Sequence, residues 1–298
     1  MKHFLDIDDL TPAELTRVCE LARLPVADLN RPLEGKGVAC FFEKPSARTR
    51  NSTEIGVVQL GGHPIYIQPA ELGIDSRESA EDVARTLACY HQTFCGRVNQ
   101  HSVLERMASL DVIPIVNLLS DEAHPTQAVA DVLTIIDEFG TVDGKVVTYV
   151  GDANNVTRSL ALAVGALGGS MRVASPPGYQ FDEITLDRLR TSGVDIEVAD
   201  RPDEVLPGSD VVYTDAWISM GDEHEAEQRL RAFEGRAVDP AMMAKAPAAI
   251  FMHCLPAHRG EEVADQVLDG AQSRIWPQAT NRLHSIRAIL AFLAETNQ

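Results

Sequence analysis

Short runs of β-branched and other apolar residues alternate with segments of helical periodicity along almost the whole chain of 298 residues. This alternation is typical of parallel sheets whose strands are connected by crossover helices, so it predicts an α/β fold. The predicted strands cover residues 37–42, 64–67, 92–98, 113–118, 145–150, 171–174, 195–198, 210–214 and 249–253.

The length of the chain favours two domains, because a typical domain has about 150 residues. Apolar residues repeat with helical spacing over residues 126–139 and again over 281–294, and each segment is long enough to link two sheets. We therefore expect two domains, each a parallel sheet flanked by helices, joined by two interdomain helices. The predicted domains are residues 1–135, with 281–298 packing back onto them, and residues 136–280.

The charge of the chain restricts its partners. Asp and Glu number 44 against 26 Lys and Arg, and the formal net charge is -18. Such a molecule repels nucleic acid and anionic membranes, so neither is an expected partner, and an anionic substrate requires a local cluster of arginines. The five cysteines form no C-x-x-C pair, and we see neither a secretory signal nor a membrane-spanning segment. These features predict a cytoplasmic protein with reduced thiols.

A candidate anion site follows the first predicted strand. Pro45 biases the preceding residue towards an extended conformation, which places Ser46 at the N-cap of a helix. Backbone N–H groups at a helix start attract phosphate, and Arg48 and Thr49 add side-chain donors. The segment is interpreted as a phosphate cradle, although a capped helix with surface arginines explains these residues about as well when they are considered alone.

A second polar cluster, His124-Pro125-Thr126-Gln127, lies where a strand gives way to a helix. The carboxyl ends of strands are where α/β sheets bind ligands. His124 could donate to a carbonyl oxygen and Gln127 could bond to an amide nitrogen, which together describe a carbamoyl group. Alone, a histidine before a helix is more often a capping or packing residue.

Three further strand ends carry polar loops, at residues 151–155, 215–221 and 253–256. The first of these lacks the G-x-G-x-x-G fingerprint, which disfavours a nicotinamide cofactor. Asn154 and Asn155 offer amide hydrogen bonds to a small ligand, and helix capping by either of them is comparably probable from sequence. The repeated placement of polar loops after strands predicts a binding site at these edges.

Taken together, these segments resemble the ornithine carbamoyltransferases of the aspartate/ornithine carbamoyltransferase superfamily. The resemblance covers nearly the whole chain and rests on motifs in a fixed order. They are FEKPSARTR (42–50), LGG (60–62), HPTQ (124–127), GDANN (151–155), DAWISMG (215–221), FMHCLPAHRGEE (251–262) and NRLH (281–284).

The resemblance implies a carbamoyl phosphate-binding N-terminal domain, an ornithine-binding C-terminal domain and a homotrimer with sites at subunit interfaces, without a cofactor or a metal. The implied carbamoyl phosphate ligands are Ser46, Ala47, Arg48, Thr49, Arg97, His124, Gln127, Arg282 and, from a neighbouring subunit, Arg77. The implied ornithine ligands are Asn155, Asp215, Ser219, Met220, Cys254 and Leu255. Catalytic roles fall to Arg97, His124, Asp215 and Cys254, with citrulline as the product.

Charge favours ornithine as the acceptor. Acylating the α-nitrogen, as in N-acetylornithine, would remove the charge that Asp215 is expected to meet. Putrescine lacks the carboxylate that Asn155 and Ser219 would bind, and aspartate would place a second carboxylate beside Asp215. The alternatives are a carbamoyltransferase for putrescine or N-acetylornithine, or a family member with impaired activity.

Two positions depart from the family pattern. Ala47 stands where the family usually has Thr, and Thr280 replaces a usual Glu. Ala47 keeps its backbone N–H but lacks the hydroxyl, so weaker phosphate binding is expected. The family implies a role in arginine biosynthesis, while the same groups would serve the reverse, catabolic direction.

Overall fold

The structure, a computed structural model, describes residues 1–218 and 223–297. The contacts divide the chain into two units, which are residues Met1–Leu133 with Thr280–Gln298, and residues Thr134–Ala279. Within the described residues, no helix is long and apolar enough to span a bilayer.

Unit 1 consists of a parallel sheet and the helices packed on it. Its elements are α1 (Pro12–Arg23), β1 (Gly37–Phe42), α2 (Ala47–Gln59), β2 (His63–Ile67), α3 (Pro69–Leu72), α4 (Ala80–Ala88), β3 (His91–Arg97), α5 (His101–Ala108), β4 (Ile115–Leu119) and α6 (Pro125–Phe139), with 3₁₀ turns at Ile7–Asp9 and Val26–Leu29. Strand β1 reads as a continuous apolar run, and all of it except Gly37 is buried, as expected for a strand covered on both faces.

Unit 2 has the same layered construction. Its elements are β5 (Val146–Val150), α7 (Asn155–Ala166), β6 (Ser170–Ala174), α8 (Glu183–Thr191), β7 (Asp195–Ala199), α9 (Pro202–Val205), β8 (Val211–Thr214), a 3₁₀ turn (Glu223–Glu225), α10 (Ala226–Ala232), α11 (Pro240–Met243), β9 (Ile250–His253), α12 (Asp265–Leu268) and α13 (Ile275–Thr296). The boundary between the units falls inside α6 and inside α13.

Both sheets are parallel, and each reverses its strand order once. The order is β2-β1-β3-β4 in unit 1 and β7-β6-β5-β8-β9 in unit 2. In unit 1 the switch lies between β1 and β3, and in unit 2 it lies between β5 and β8. On the two sides of each switch, successive strands are added outwards in opposite directions. Loops on the two sides of such a switch point diverge and leave a crevice at the carboxyl ends of the strands, which is where α/β folds bind ligands.

Each sheet has its own apolar core. In unit 1, Phe41 and Phe94 from the central strands pack with Leu104 of α5 in a cluster of buried residues. In unit 2, Val212 and Phe251 anchor a second cluster. These cores make the strands rigid, so the polar residues at their carboxyl ends have fixed positions.

The structure confirms the predicted α/β fold with two parallel sheets, and all nine predicted strands are present within two residues of their expected bounds. One helix begins earlier than expected. Helix α13 starts at Ile275, and the periodicity had indicated a start at residue 281. Pro277 lies in the first turn of α13, where the missing N–H costs nothing, so it does not delay the start of the helix.

Candidate active site

In unit 1, the polar side chains after β1 and at the end of β3 meet. Strands β1 and β3 are neighbours, and Phe42 pairs with Arg97 in the register. Ser46 occupies the N-cap position of α2, as predicted, but its side chain caps no backbone N–H. Instead, Ser46 Oγ accepts a hydrogen bond from Arg97 Nη1 at 3.3 Å. The start of α2 and Arg97 therefore converge.

A second guanidinium group, from Arg282 on α13, reaches the same region of unit 1. Arg282 Nη2 donates to Thr49 Oγ1 at 2.9 Å, and Nη1 donates to Gln127 Oε1. The amide of Gln127 is oriented by Asp131, one helical turn further along α6, because its Nε2 donates to Asp131 Oδ1 at 2.8 Å. Asp131 therefore keeps the amide oxygen of Gln127 turned towards Arg282.

The arginines of this cluster are buried and repel each other. Arg97 is 7% exposed and Arg282 is 5% exposed. Burial, followed by the charges of Arg282 and Arg48, lowers the pKa of Arg97 to about 10. In the described part of the chain, the buried Nε of Arg97 has no hydrogen-bond partner. Buried cations are costly unless an opposite charge meets them, so this arrangement favours an anionic ligand.

His124 precedes α6 and is buried beside the same two arginines. Burial and the charges of Arg282 and Arg97 hold the pKa of His124 well below its usual value. The imidazole is therefore neutral at pH 7, with one ring nitrogen that donates and one that accepts. This state suits a hydrogen bond to an uncharged carbonyl oxygen.

The other basic residues of this region differ in exposure. Arg48 is exposed in the first turn of α2, next to exposed Ala47, whereas Thr49 is buried. Arg50 lies over the ring of Tyr66, and its Nε pairs with Glu54 at 2.7 Å. Arg77, the residue expected to act on a neighbouring subunit, is exposed and donates to the carbonyl of Glu71 at 3.3 Å.

Unit 2 carries its own polar groups at its switch point. Asn154 caps α7, since its Oδ1 accepts from the backbone N–H of Val156 at 2.9 Å. Asn154 is therefore the capping residue, whereas the sequence alone allowed either Asn154 or Asn155. Asn155 is the first residue of α7 and is half-buried. Asp215 follows β8, the strand beside β5, so it extends from the other side of the switch point.

Asp215 and Cys254, predicted as separate ligands, are in contact. The Cys254 thiol donates to Asp215 Oδ1 at 2.8 Å, and the same oxygen accepts from the backbone N–H of Ala216 at 2.8 Å. The contact joins the carboxyl ends of β8 and β9, which are neighbouring strands. Two other predicted ligands, Ser219 and Met220, lie outside the described residues.

The carboxyl ends of β8 and β9 carry groups that could bind a metal ion. The ligand atoms of Asp215, His253 and Cys254 lie within 4.8 Å of one another. However, both ring nitrogens of His253 already make hydrogen bonds. Nδ1 accepts from the N–H of Leu255 at 2.9 Å, and Nε2 lies 3.1 Å from Glu262 Oε1. The geometry therefore favours a hydrogen-bonded network at the loop after β9.

Sequence reasoning missed three residues that orient the predicted ones. They are Asp131, His253 and Glu262. The i, i+4 spacing of Gln127 and Asp131 on a predicted helix was a usable signal for the first. The pairing of His253 with Glu262 had no such signal, because a loop of irregular backbone separates them.

Comparisons with known proteins identify the family of the chain. Residues 2–137 match the family model described as aspartate/ornithine carbamoyltransferase, carbamoyl-P binding domain. Residues 143–293 match the model described as aspartate/ornithine carbamoyltransferase, Asp/Orn binding domain.

Individual relatives are similar over nearly their full length. The ornithine carbamoyltransferase of Haloquadratum walsbyi is 42% identical, over 99% of this chain and 98% of the relative. The solved ornithine carbamoyltransferase of Pyrococcus furiosus is 40% identical with a TM-score of 0.92, over 98% of this chain and 96% of the other. The enzyme of Thermus thermophilus is 38% identical with a TM-score of 0.89, over 98% and 99%.

Proposed function

Because the chain belongs to the aspartate/ornithine carbamoyltransferase family, we propose that it transfers the carbamoyl group of carbamoyl phosphate to the δ-amine of L-ornithine, giving L-citrulline and phosphate. The family makes the chain a transferase. The observation that carries the proposal is the cluster of buried Arg97 and Arg282 beside neutral His124 at the switch point of unit 1. This cluster offers positive charge to a phosphate and uncharged polar groups to a carbamoyl group.

In this proposal, the phosphate binds at the start of α2. Its oxygens accept from Ser46, from Thr49, from the backbone at Ala47 and from the guanidinium groups of Arg48, Arg97 and Arg282. Two features support this arrangement. Arg97 and Arg282 already contact Ser46 and Thr49, and a helix N-terminus adds the favourable end of its dipole. A dianion would also offset the burial and the neighbouring positive charges that lower the pKa of Arg97.

The carbamoyl group binds to His124 and Gln127. As a neutral ring, His124 donates one hydrogen bond to the carbonyl oxygen. The amide of Gln127 donates to Asp131, and its oxygen accepts from Arg282. That oxygen has a second lone pair, so the proposed contact is from the carbamoyl NH₂ to Gln127 Oε1.

Ornithine binds to the groups of unit 2. Asp215 meets the α-ammonium, while Asn155, Ser219 and the backbone of Met220 bind the α-carboxylate. Since Asp215 Oδ1 already accepts from Ala216 and Cys254, Oδ2 is the oxygen assigned to the ammonium. Cys254 and Leu255 are assigned to the δ-amine. These assignments favour ornithine over putrescine, which has no carboxylate, and over N-acetylornithine, which has no α-ammonium.

The reaction needs only the chain's own groups and its two substrates. The lone pair of the neutral δ-nitrogen attacks the carbonyl carbon, and the π electrons move to the oxygen. Arg48, Arg97 and His124 stabilise the oxyanion that forms, which is usually the largest electrostatic contribution to such a transfer. The oxyanion then re-forms the C=O double bond while the C–O bond to phosphate breaks with its electron pair on phosphate, and the phosphate accepts the proton released by the nitrogen.

The assembly and cellular role also belong to the proposal. A homotrimer with sites at subunit interfaces is proposed, in which Arg77 of one subunit reaches the phosphate of another. Its exposure supports this role. A cytoplasmic location and a part in arginine biosynthesis are proposed by analogy with the family. Neither nucleic acid nor an anionic membrane is an expected partner for a chain of net charge -18.

Citrulline formation by the chain and by one variant tests the proposed function. Purified chain supplied with carbamoyl phosphate and ornithine should form citrulline, and Arg97→Ala should lower turnover by at least about 100-fold, because one lost oxyanion donor typically costs that much. Colorimetric assay of citrulline measures both. Arg85→Ala is the matched control, since Arg85 is exposed and pairs with Asp82 on the surface. Faster turnover of putrescine or N-acetylornithine would overturn the acceptor assignment, and absence of citrulline would overturn the function.

A further inference from the structure

The turn after β9 places Cys254 between two residues that bond to each other. His253 Nδ1 accepts from the N–H of Leu255, two residues further on, at 2.9 Å. This is the geometry that an Asn or Asp side chain uses to mimic a backbone turn. Cys254 lies at the tip of that turn and donates to Asp215 Oδ1 at 2.8 Å.

We propose that His253 and Glu262 are positioning residues that hold the Cys254–Leu255 backbone so that the Cys254 thiol stays against Asp215. The inference rests on the proposed function, in which Cys254 and Leu255 receive the δ-amine. Neither His253 nor Glu262 touches the reacting atoms in this scheme, and both act through the turn.

The backbone at Leu255 requires such support. Its φ is 61°, in the left-handed region. This conformation is unfavourable for a residue with a β-carbon, so the surrounding contacts must hold it. The hydrogen bond from Leu255 to His253 is the contact that does so locally.

Glu262 fixes the histidine ring. Because Nδ1 accepts a hydrogen bond, the proton of the neutral ring lies on Nε2, which donates to Glu262 Oε1 at 3.1 Å. Both side chains are completely buried. The same carboxylate oxygen accepts from the N–H of His258 at 2.6 Å, which ties Glu262 to the far side of the loop. A carboxylate that orients a histidine in this way also fixes its tautomer.

The backbone of His253 is held from the other side. Its N–H donates to Gln278 Oε1 at 2.9 Å, and Gln278 Nε2 donates to Tyr213 Oη at 3.1 Å. The histidine therefore has fixed partners at its backbone N–H and at both ring nitrogens. These contacts hold His253 rigidly at the start of the turn that bears Cys254.

Two substitutions separate the roles of the two ring nitrogens. His253→Asn keeps an acceptor near the position of Nδ1 and loses the contact with Glu262. His253→Gln places its amide near Nε2 and loses the acceptor for Leu255. We expect His253→Gln to lower kcat and raise the KM for ornithine, with a combined loss of about 10- to 100-fold, the usual cost of losing an orienting partner. His253→Asn should lose clearly less activity than His253→Gln, because it keeps the acceptor for Leu255 and loses only the contact with Glu262. The KM for carbamoyl phosphate should not change in either variant.

Ser209→Ala is the matched control for stability. Ser209 is buried in unit 2 and bonds to Thr148 at 2.6 Å, away from the turn. This variant should lower Tm without changing either KM. If both His253 variants lose activity equally, or if their losses simply follow Tm as in the control, the proposal is wrong.

The reactivity of Cys254 tests the inference without any assay of turnover. In a Cys89→Ser background, which removes the exposed thiol, iodoacetamide should alkylate Cys254 several times faster in His253→Gln than in the parent or in His253→Asn. Peptide mass mapping identifies the site. Equal rates in the three proteins would overturn the inference. If the parent forms no citrulline, the proposed function fails while this measurement still decides the role of His253.

Discussion

At the scale of single residues, the buried environment of the unit 1 cluster determines which of its side chains are charged. Arg97 and Arg282 are buried within one cluster of unit 1, and His124 is buried beside them. Arg97 keeps its charge, because even its lowered pKa, about 10, lies well above 7. The histidine loses its charge. The same environment therefore provides strong cationic groups for a phosphate and a neutral donor for a carbonyl oxygen.

The lowered pKa of His124 predicts a pH dependence of stability. In the unfolded chain this histidine takes up a proton near pH 6.5, whereas the folded protein keeps it neutral to a much lower pH. The unfolded state then binds more protons, so the free energy of unfolding should fall as pH drops below about 6.5, by at most about 1.4 kcal/mol per pH unit.

Urea denaturation at pH 7.5, 6.5 and 5.5 measures this effect. His124→Gln should show a smaller fall than the parent, and His224→Gln, which alters an exposed histidine, should behave like the parent. An unchanged pH dependence in His124→Gln would contradict the prediction.

At the scale of elements, the start of α2 shows what the sequence could predict. The position of Ser46 at the N-cap was predictable from Pro45 and the helical pattern. Its side-chain partner was not, because Arg97 comes from β3, 51 residues away in sequence, and competes for the hydroxyl. Local patterns find caps and helix starts, but they do not reveal which distant strand end lies opposite them.

The strands were predicted more accurately than the contacts. Buried runs such as β1 are almost purely apolar, so their bounds are visible in the sequence. Candidate ligands could also be found, since polar residues that follow such runs lie at strand ends. The contact between His253 and Glu262 could not be predicted from the sequence. It depends on a turn in which Leu255 has a left-handed backbone conformation, and leucine rarely adopts that conformation.

Ala47 at the first position of α2 provides a prediction at this scale. It is exposed beside Ser46, and its side chain carries no hydroxyl. Ala47→Thr should lower the KM for carbamoyl phosphate by about tenfold, the lower end of the value of one hydrogen bond to a charged group. Ala47→Val has the same shape without the hydroxyl and should give no such decrease. Equal effects of Thr and Val on this KM would show that the hydroxyl is not used.

At the scale of the whole molecule, local and global charge have opposite signs. The chain has a formal net charge of -18, yet the cluster at the switch point of unit 1 is cationic. The overall field therefore repels anions, and a ligand is held only where several guanidinium groups act together at short range. This favours a compact dianion over an extended polyanion.

Inorganic phosphate should consequently stabilise the protein. A ligand that binds only the folded state raises Tm, so millimolar phosphate should raise the Tm of the parent in differential scanning fluorimetry. Arg97→Ala should show a much smaller shift, and Arg85→Ala should match the parent. Sodium chloride at equal ionic strength is the control for screening. An equal rise with chloride, or an undiminished rise in Arg97→Ala, would contradict a specific phosphate site.

In each sheet, the edge formed by the amino ends of the strands takes no part in the proposed chemistry. Apart from Arg282 on α13, the candidate ligands lie at or after the carboxyl ends of strands, whereas the turns that lead into the amino ends carry none of them. One such turn, between α8 and β7, contains exposed Gly193 with a φ of 82°. An affinity tag, a fluorescent reporter or the new termini of a circular permutant can be inserted beside this glycine, far in topology from the chemistry, which makes the scaffold suitable for engineering.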